Sequence, residues 1–238
     1  MIEIIAEIGQ NFNGDIGLAK ELIRLAKING ADVAKFQVYD AKSLFKKENN
    51  QWYDYNCKTE LTKEHLEVLM DECESVGIEF MASAFDEERV EWLETLGVKR
   101  YKTASRSISD ETLMDKIIST KKPIVVSLGM WNGEEFPEIK SESKVDFLYC
   151  ISKYPTKLEC LHFDNVDFKD KYSGFSDHTL GIVAPIVAMS RGAKIIEKHF
   201  TTDKSMYGPD HSGSMTPHEL NELVKYKEQI LQCLYSGL

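Results

Sequence analysis

The amino-acid sequence predicts a single α/β domain, a (β/α)8 (TIM) barrel that spans residues 1–238. Short runs rich in β-branched residues alternate along the chain with segments of helical periodicity, which indicates a parallel sheet with crossover helices. No Pro/Gly/Ser-rich hinge, low-complexity tract or repeat divides the chain, whose length is ordinary for one barrel. Eight β/α units in succession favour a closed barrel over a doubly wound sheet.

Eight strands are predicted from the apolar runs, with ends defined to within about 2–4 residues. They lie near residues 2–7, 33–38, 78–82, 100–103, 123–127, 145–150, 172–175 and 194–198. Helical periodicity predicts helices near residues 17–29, 62–76, 86–96, 109–120, 179–191 and 216–235. The polar stretch 39–60 is the longest connection and is predicted to be an active-site loop.

Several of these helices carry start or stop signals. Thr62 and Ser109 are N-cap candidates, and Thr216 precedes a proline, which suits the first helical position. Three glycines are expected to follow helix ends in a left-handed conformation: Gly30, Gly77 and Gly97.

Composition excludes several classes of function. The formal net charge of -10 argues against nucleic-acid binding, because a phosphate backbone repels such a surface. No apolar run approaches the roughly 20 residues that span a bilayer, and the first residues lack a secretory signal, so a cytoplasmic protein without membrane contacts is expected.

The five cysteines form no C-x-x-C pair and are expected to be small buried apolar residues.

Polar residues interrupt the apolar strands almost only at or just beyond their C-terminal ends. In a barrel all eight such ends meet at one mouth, which is where catalytic groups of this fold lie. We therefore predict a functional site that contains Glu7, Lys35, Gln37, Ser83, Lys102, Ser105, Ser127, Ser152, Tyr154, Ser176, His178, Glu197 and His199.

Two lysines, Lys35 and Lys102, stand inside apolar strands. A charge there costs free energy unless it is paired or faces a ligand. A structural ion pair with Glu7 or Glu197 is one explanation. Because the two lysines lie at the same mouth, binding of an anionic small molecule is the explanation that we favour.

Two histidines follow the last two predicted strands. His178 comes after strand seven and His199 after strand eight, so adjacent strands bring them together across 21 residues of sequence. Two imidazoles with water and an oxygen ligand suit a divalent transition metal that keeps positions open for substrate. Hydrogen-bonded core histidines are the alternative.

The motifs around these residues occur in a specific order. They are Ala6-Glu7-Ile8-Gly9-x-Asn11-x-Asn13-Gly14, Val33-Ala34-Lys35-Phe36-Gln37, Tyr101-Lys102-x-Ala104-Ser105, Pro123-Ile124-Val125-Val126-Ser127-x-Gly129-Met130, Tyr154-Pro155-Thr156, Gly174-Phe175-Ser176-Asp177-His178-Thr179, Ile196-Glu197-Lys198-His199-Phe200 and Gly208-Pro209-Asp210. As a collinear set over about residues 2–236, they resemble the sialic acid synthase (N-acetylneuraminate synthase) family, to which pseudaminic and legionaminic acid synthases are related.

This resemblance implies a condensation of phosphoenolpyruvate with an N-acetylated amino sugar such as N-acetylmannosamine, which gives a nine-carbon 2-keto acid and phosphate. It implies that His178 and His199 hold a divalent metal, with Mn²⁺ expected and Mg²⁺ or Co²⁺ as alternatives. Residues implied around phosphoenolpyruvate are Lys35, Ser83, Lys102, Ser105, Ser127 and Ser176, and residues implied around sugar and metal are Tyr154, Glu197 and Asp210. Glu197 or Glu7 is expected to orient or deprotonate the attacking water.

The chain departs from the family pattern at several positions. Phe12 stands where the family usually has histidine, Ser107 where it has glutamate, Ser152 where it often has asparagine, and Leu128 where it has threonine. These changes are expected to remove polar groups from the mouth and to affect the acceptor sugar most.

The family's antifreeze-like C-terminal domain, which covers the partner's site in a swapped dimer, is expected to be absent. Either another chain supplies this cap, the long loop 39–60 substitutes for it, or the acceptor differs from N-acetylmannosamine. A homodimer or a separate capping chain is the expected protein partner. Two other functions stay open: a degenerate barrel that binds a sugar or a partner without catalysis, and a metal-dependent aldolase that does not use phosphoenolpyruvate.

Overall fold

The computed structural model of the protein describes residues 2–133 and 135–234. Eight parallel strands form one sheet in the order β3-β2-β1-β8-β7-β6-β5-β4. They are β1 (Glu3–Gly9), β2 (Val33–Val38), β3 (Glu79–Ala84), β4 (Tyr101–Thr103), β5 (Ile124–Ser127), β6 (Val145–Cys150), β7 (Gly174–Asp177) and β8 (Ile195–His199). In the described residues β3 and β4 pack side by side without a shared ladder, so the barrel is nearly closed. The predicted (β/α)8 barrel is confirmed.

Helices surround the sheet. They are α1 (Ile16–Ile28), α2 (Ala41–Leu44), α3 (Tyr53–Lys58), α4 (Lys63–Val76), α5 (Glu87–Leu96), α6 (Glu111–Ser119), α7 (Val183–Ser190) and α8 (Pro217–Leu234). All six predicted helices are present, while α2 and α3 are short helices inside the predicted loop 39–60. The predicted end of the last helix at residue 235 lies outside the described residues.

The helix ends follow the predicted signals with two corrections. Thr62 forms a reciprocal cap with His65 at the start of α4, and Gly77 has a φ of 71° at its end. Ser109 was the wrong N-cap, because the Asp110 carboxylate accepts the hydrogen bond from the Leu113 amide. The start of α7 near residue 179 was also wrong: Thr179 forms an isolated β-bridge with Thr156, and residues 180–182 bend before the helix begins at Val183.

An apolar layer fills the inside of the barrel below the mouth. Its side chains are Ile5, Val33, Met81, Val125, Leu148 and Ile195. A larger apolar cluster joins the outer face of the strands to the helices. The barrel is therefore a packed core rather than a pore, as expected for this fold.

Two predictions from composition can be compared with this structure. Among the described residues, no helix is both long and apolar enough to cross a membrane. Cys73 and Cys150 are buried as expected, but Cys57 and Cys160 are only half-buried and Cys233 is exposed. The prediction of buried cysteines was therefore wrong for these three, which lie in the short helix α3, in the turn Leu158–Cys160 and in the last turn of α8.

Candidate active site

A cavity of about 420 Å³ opens at the C-terminal end of the barrel. This volume lies within the range of small-molecule pockets, about 300–1,000 Å³. Every side chain that the sequence analysis assigned to catalysis, substrate or metal lines it: Glu7, Lys35, Gln37, Ser83, Lys102, Ser105, Ser127, Ser152, Tyr154, Ser176, His178, Glu197, His199 and Asp210. The structure thus brings these residues together, while their roles remain predictions.

The two-residue repeat of a strand explains this convergence. Side chains two positions apart on a strand point to the same face. The residues two positions beyond members of the apolar layer therefore also face the barrel axis, at the mouth. They are Glu7, Lys35, Ser83, Ser127, Cys150 and Glu197.

A bulge at the end of β1 shapes the position of Glu7. The pairing of β1 with β2 shifts register between Glu7 and Gly9. Gly9 has a φ of 53°, and a Cβ atom there would lie 3.1 Å from Glu7 Oε1. A larger residue at position 9 would therefore strain the backbone and crowd the carboxylate.

Four buried charged side chains form the bottom of the cavity, and we call Glu7, Lys35, Lys102 and Glu197 the charged floor. Lys35 Nζ lies 2.7 Å from Glu7 Oε2 and 3.6 Å from Glu197 Oε2. Lys102 Nζ lies 3.6 Å from Glu197 Oε1 and donates a hydrogen bond of 2.7 Å to Ser127 Oγ. The lysines therefore form the ion pairs considered from sequence and also line the cavity.

The opposite charges of the floor shift one another's pKa values. Burial would raise the pKa of Glu197, but the ammonium groups of Lys102 and Lys35 outweigh it and lower this pKa to about 2. Burial lowers the pKa of Lys35, but Glu197 and Glu7 more than offset it and raise this pKa overall. For Lys102 burial dominates and its pKa falls, with Glu197 opposing the change. Glu197 is therefore ionised at neutral pH.

Two buried polar atoms that line the cavity, one of them in the charged floor, have no hydrogen-bond partner within the described structure. Ser83 Oγ and Glu197 Oε2 are buried without a hydrogen bond. Buried polar groups are nearly always satisfied, and an exception calls for a specific reason such as a bound ligand or water. These two atoms mark the floor as a place where a polar ligand would gain hydrogen bonds.

The two histidines face each other across one side of the cavity, with ring centroids 6.0 Å apart. His178 Nδ1 lies 2.9 Å from the carbonyl oxygen of Ile151, a contact that assigns the proton to Nδ1 and leaves Nε2 unprotonated, as an acceptor. This Nε2 lies 2.8 Å from the hydroxyl of Tyr154. His199 Nδ1 is buried without a hydrogen bond in the described structure and lies 4.0 Å from Asp210 Oδ2.

This donor set fits a divalent transition metal. Imidazole nitrogens are common ligands of such ions, and the unpaired Nδ1 of His199 is a buried donor atom that lacks a partner. Among the residues that the structure describes, no group of three or more His, Cys, Asp or Glu is arranged to hold an ion. Water or substrate oxygens would therefore have to complete the coordination.

The segment 39–60 covers one side of the cavity, and we call Leu44, Phe45, Asn50, Trp52 and Asn56 the loop wall. Hydrogen bonds hold this segment to the barrel. The Tyr55 hydroxyl donates to the carbonyl oxygen of Gln10 at 2.8 Å, which ties the segment to the end of β1. Within the segment, the Tyr39 hydroxyl, directly after β2, donates to the carbonyl oxygen of Asn56 at 3.1 Å. The loop wall is thus a fixed surface in this structure.

Sequence reasoning missed several lining residues. Gln10, Arg106 and the five residues of the loop wall line the cavity although none was assigned a role. Gln10 Nε2 donates a hydrogen bond of 3.1 Å to Asn56 Oδ1, which joins the loop wall to the end of β1. The only sequence signal was the length and polarity of the segment 39–60, which cannot tell which side chains point inward.

The departures from the family pattern fall mainly outside the cavity. Ser152 lines it, but Phe12 is buried in the core with its ring 6.3 Å from that of Phe36. Ser107 and Leu128 are buried and, in the described structure, do not line the cavity either. Phe12, Ser107 and Leu128 therefore contribute no side chain to the cavity lining in the described structure, and the expectation that these changes remove polar groups from the mouth stays a prediction.

Known proteins are similar to this chain in sequence and architecture. Residues 22–237 match the sequence model of the NeuB family. The chain is 39% identical to N,N'-diacetyllegionaminic acid synthase of Legionella pneumophila, covering 98% of this chain and 73% of that protein. It is 34% identical to human N-acetylneuraminate-9-phosphate synthase, covering 93% of this chain and 68% of that protein. The crystal structure of N-acetylneuraminic acid synthetase from Leptospira borgpetersenii superposes with a TM-score of 0.91 at 31% identity, covering 100% of this chain and 86% of the other.

Proposed function

The chain belongs to the NeuB family of phosphoenolpyruvate-dependent synthases that form carbon–carbon bonds, and we propose that it condenses phosphoenolpyruvate with an N-acetylated amino-sugar aldehyde. The acceptor would resemble N-acetylmannosamine, and the products would be a nonulosonic 2-keto acid and phosphate. The reaction would depend on a divalent metal, Mn²⁺ before Mg²⁺ or Co²⁺.

The observation that carries this proposal is the meeting of two lysines and two histidines in one cavity. Lys35 and Lys102 supply the positive charge that an anionic substrate needs in a buried site. The hydroxyls of Ser83, Ser105, Ser127 and Ser176 line the same cavity. Those of Ser83, Ser105 and Ser127 would add neutral hydrogen-bond donors for carboxylate and phosphate oxygens, while that of Ser176 donates to Glu197 Oε1 at 2.8 Å and would have to turn to reach the substrate.

His178 and His199 would hold the metal, which when bound supplies a Lewis acid that polarises the aldehyde carbonyl. The hydrogen bond between His178 Nδ1 and the Ile151 carbonyl fixes the ring so that Nε2 faces the cavity. Tyr154 and Asp210, which lie beside the two histidines, would orient the sugar hydroxyls.

The glutamates of the floor suit the second half of the reaction. After C3 of phosphoenolpyruvate bonds to the aldehyde carbon, C2 becomes electron-deficient and must take up water. A proton leaves that water, and the C–O bond to phosphate then breaks. The ionised Glu197, whose Oε2 has no hydrogen-bond partner in the described structure, would stabilise the positive carbon and orient the water. Glu7 lies across Lys35 from it as the other candidate base.

The direct test is acceptor-dependent release of phosphate. Purified protein with Mn²⁺ and phosphoenolpyruvate would be offered N-acetylmannosamine, its 6-phosphate and a 2,4-diacetamido-trideoxyhexose. We expect phosphate and product, identified by mass as acceptor plus one pyruvate unit, with at least one acceptor. Lys102→Met, which removes the ammonium group and keeps the chain length, is the inactive control.

The negative outcomes separate the alternatives. Phosphoenolpyruvate binding without turnover on any acceptor would favour a degenerate, non-catalytic barrel. Absence of phosphoenolpyruvate binding would favour an aldolase that uses another donor. A homodimer or a separate capping chain, and a cytoplasmic location, stay predictions; size-exclusion chromatography of the protein alone tests the first.

A further inference from the structure

The charged floor leaves little net positive charge for an anionic substrate. The two ammonium groups of Lys35 and Lys102 face the two carboxylates of Glu7 and Glu197 at 2.7–3.6 Å. Lys198, which also lines the cavity, is paired with Asp177 at 2.7 Å. These lysines are therefore matched by nearby carboxylates.

Phosphoenolpyruvate, the substrate under the proposed function, carries close to three negative charges at neutral pH, about two on the phosphate and one on the carboxylate. One divalent ion compensates about two of them. Because uncompensated charge in a partly dry cavity is costly, the lining should supply at least one further cation.

Among the described residues that line the cavity, Arg106 is the basic side chain without a carboxylate partner. It lies in the turn Ser105–Ser107 that follows β4, and its side chain lines the cavity. Among the described residues, no carboxylate lies within 4.0 Å of its guanidinium, in contrast to the three lysines of the lining. Its position directly follows Ser105, whose Oγ accepts a hydrogen bond of 3.1 Å from the Gly129 amide and so anchors the turn.

Phe45 of the loop wall holds this guanidinium at the mouth. The Arg106 Cζ lies 5.5 Å from the centroid of the Phe45 ring, within the range of a cation–π contact. Stacking on a ring face leaves the N–H groups at the guanidinium edge free to donate. A planar fork of such donors matches a phosphate group better than any other side chain does.

We propose that Arg106 binds the phosphoryl group of phosphoenolpyruvate at the mouth of the cavity, with Phe45 positioning its guanidinium. The inference rests on the proposed function and adds a residue that the sequence motifs do not contain. It assigns phosphate recognition partly to the turn after β4 rather than to the strand lysines alone.

The test measures phosphoenolpyruvate binding to the Mn²⁺-loaded full chain by calorimetry, which needs no acceptor. We expect Arg106→Gln to raise the dissociation constant about 10-fold or more, because hydrogen bonds between charged groups are the strong ones. Arg106→Lys should recover only part of the affinity. Affinity of the wild type should fall more steeply with salt than that of Arg106→Gln.

Lys46→Gln is the matched control, since Lys46 neighbours Phe45, is exposed and lies outside the cavity lining. Its phosphoenolpyruvate affinity should stay within about 2-fold of the wild type, because solvent screens an exposed charge that makes no contact with the ligand. Once an acceptor is known, Arg106→Gln should raise KM for phosphoenolpyruvate and leave KM for the acceptor unchanged. Because Arg106 is exposed, its replacement should not affect folding.

The possible outcomes distinguish the role of Arg106 from the proposed synthase function. If the wild type binds phosphoenolpyruvate and Arg106→Gln binds it equally well, the role of Arg106 is refuted and the synthase function stands. If Lys46→Gln weakens binding as much as Arg106→Gln does, both effects come from long-range electrostatics, and a specific contact between Arg106 and the phosphoryl group is refuted. If the wild type does not bind phosphoenolpyruvate, both proposals fail.

Discussion

The charged floor and the loop wall enclose the same cavity but are built differently. The floor consists of strand residues, all buried, whose charges are matched within 2.7–3.6 Å. The loop wall consists of residues from one long connection, with amide, aromatic and aliphatic side chains and no charged group. One region is thus held by electrostatics and the other by packing and by hydrogen bonds from tyrosine hydroxyls to backbone carbonyls.

This difference suggests a division of labour. A buried charge network tolerates little change, because removal of one member leaves its partner uncompensated. An uncharged wall can change residue by residue at modest cost while it alters the shape presented to a ligand. We expect the floor to support the chemistry shared by the family and the loop wall to select the acceptor sugar. Substitutions in the two regions should therefore have effects of different kind.

The largest effect is expected at the histidines beside the floor. Loss of a Lewis acid that contributes several kcal/mol to a transition state lowers turnover by about 10³-fold or more. We expect this loss, together with reduced metal content after dialysis, for His199→Ala and His178→Ala. His199→Ala is the cleaner variant, because its buried Nδ1 makes no hydrogen bond in the described structure and its removal breaks none.

The surface histidine His218 on α8 provides the control, since its side chain is 80% exposed. His218→Ala should keep full metal content and turnover. Metal content measured by atomic emission, before and after chelation and reloading, checks both results. Unchanged metal content in His199→Ala and His178→Ala would show that the ion, if needed, binds elsewhere.

The next effect is on stability and also concerns the floor. Lys35→Met leaves Glu7 and Glu197 buried without the ammonium group between them, and loss of one partner of a buried pair costs about 3–5 kcal/mol. In this variant the pKa of the Glu197 carboxyl should rise in the folded state, because the Lys35 ammonium group that helps to lower it is gone. Groups with a raised folded pKa stabilise at low pH, and the deficit should therefore be smaller at pH 5 than at pH 8.

Urea unfolding at both pH values measures this difference. The double variant Lys35→Met/Glu7→Gln, which removes one charge of each sign, should recover part of the lost stability. A loss of unfolding free energy below about 1 kcal/mol for Lys35→Met is typical of a surface ion pair. It would show that the floor is no less tolerant of substitution than the loop wall.

The same two regions also differ in how far the sequence predicted them. The floor was predictable because Lys35 and Lys102 interrupt apolar strands, and the period of two in a strand fixes which face each side chain takes. Parallel strands then bring all C-terminal ends to one mouth, whatever the loops do. The sequence alone did not decide whether these lysines pair with Glu7 and Glu197, and the structure shows that they do.

The loop wall was not predictable in this way. No period governs the stretch 39–60, so the inward positions of Trp52 and Asn56 depend on tertiary hydrogen bonds from Tyr39, Tyr55 and Gln10. Arg106 was missed for a related reason: its chemistry depends on stacking against Phe45, which is 61 positions away in sequence. Long-range contacts of this kind leave no local pattern.

The smallest of these effects should come from the loop wall itself. Trp52 lines the cavity and packs against Tyr207, with ring centroids 5.2 Å apart. A flat aromatic ring can pack against the apolar face of a sugar ring, and aromatic side chains line many small-molecule binding sites. We expect Trp52→Leu to raise KM for the acceptor about 10-fold, the effect of losing roughly 1.4 kcal/mol of contact. KM for phosphoenolpyruvate and metal content should be unchanged.

Trp92 on α5 is the matched control for this variant. It is also half-buried but stacks on Arg89, with the guanidinium carbon 4.5 Å from its ring, and does not line the cavity in the described structure. Trp92→Leu should leave both KM values at the wild-type level. If Trp52→Leu lowers kcat or raises KM for phosphoenolpyruvate as strongly as KM for the acceptor, then the wall takes part in the chemistry. The two regions would then act as one site instead of dividing reaction from recognition.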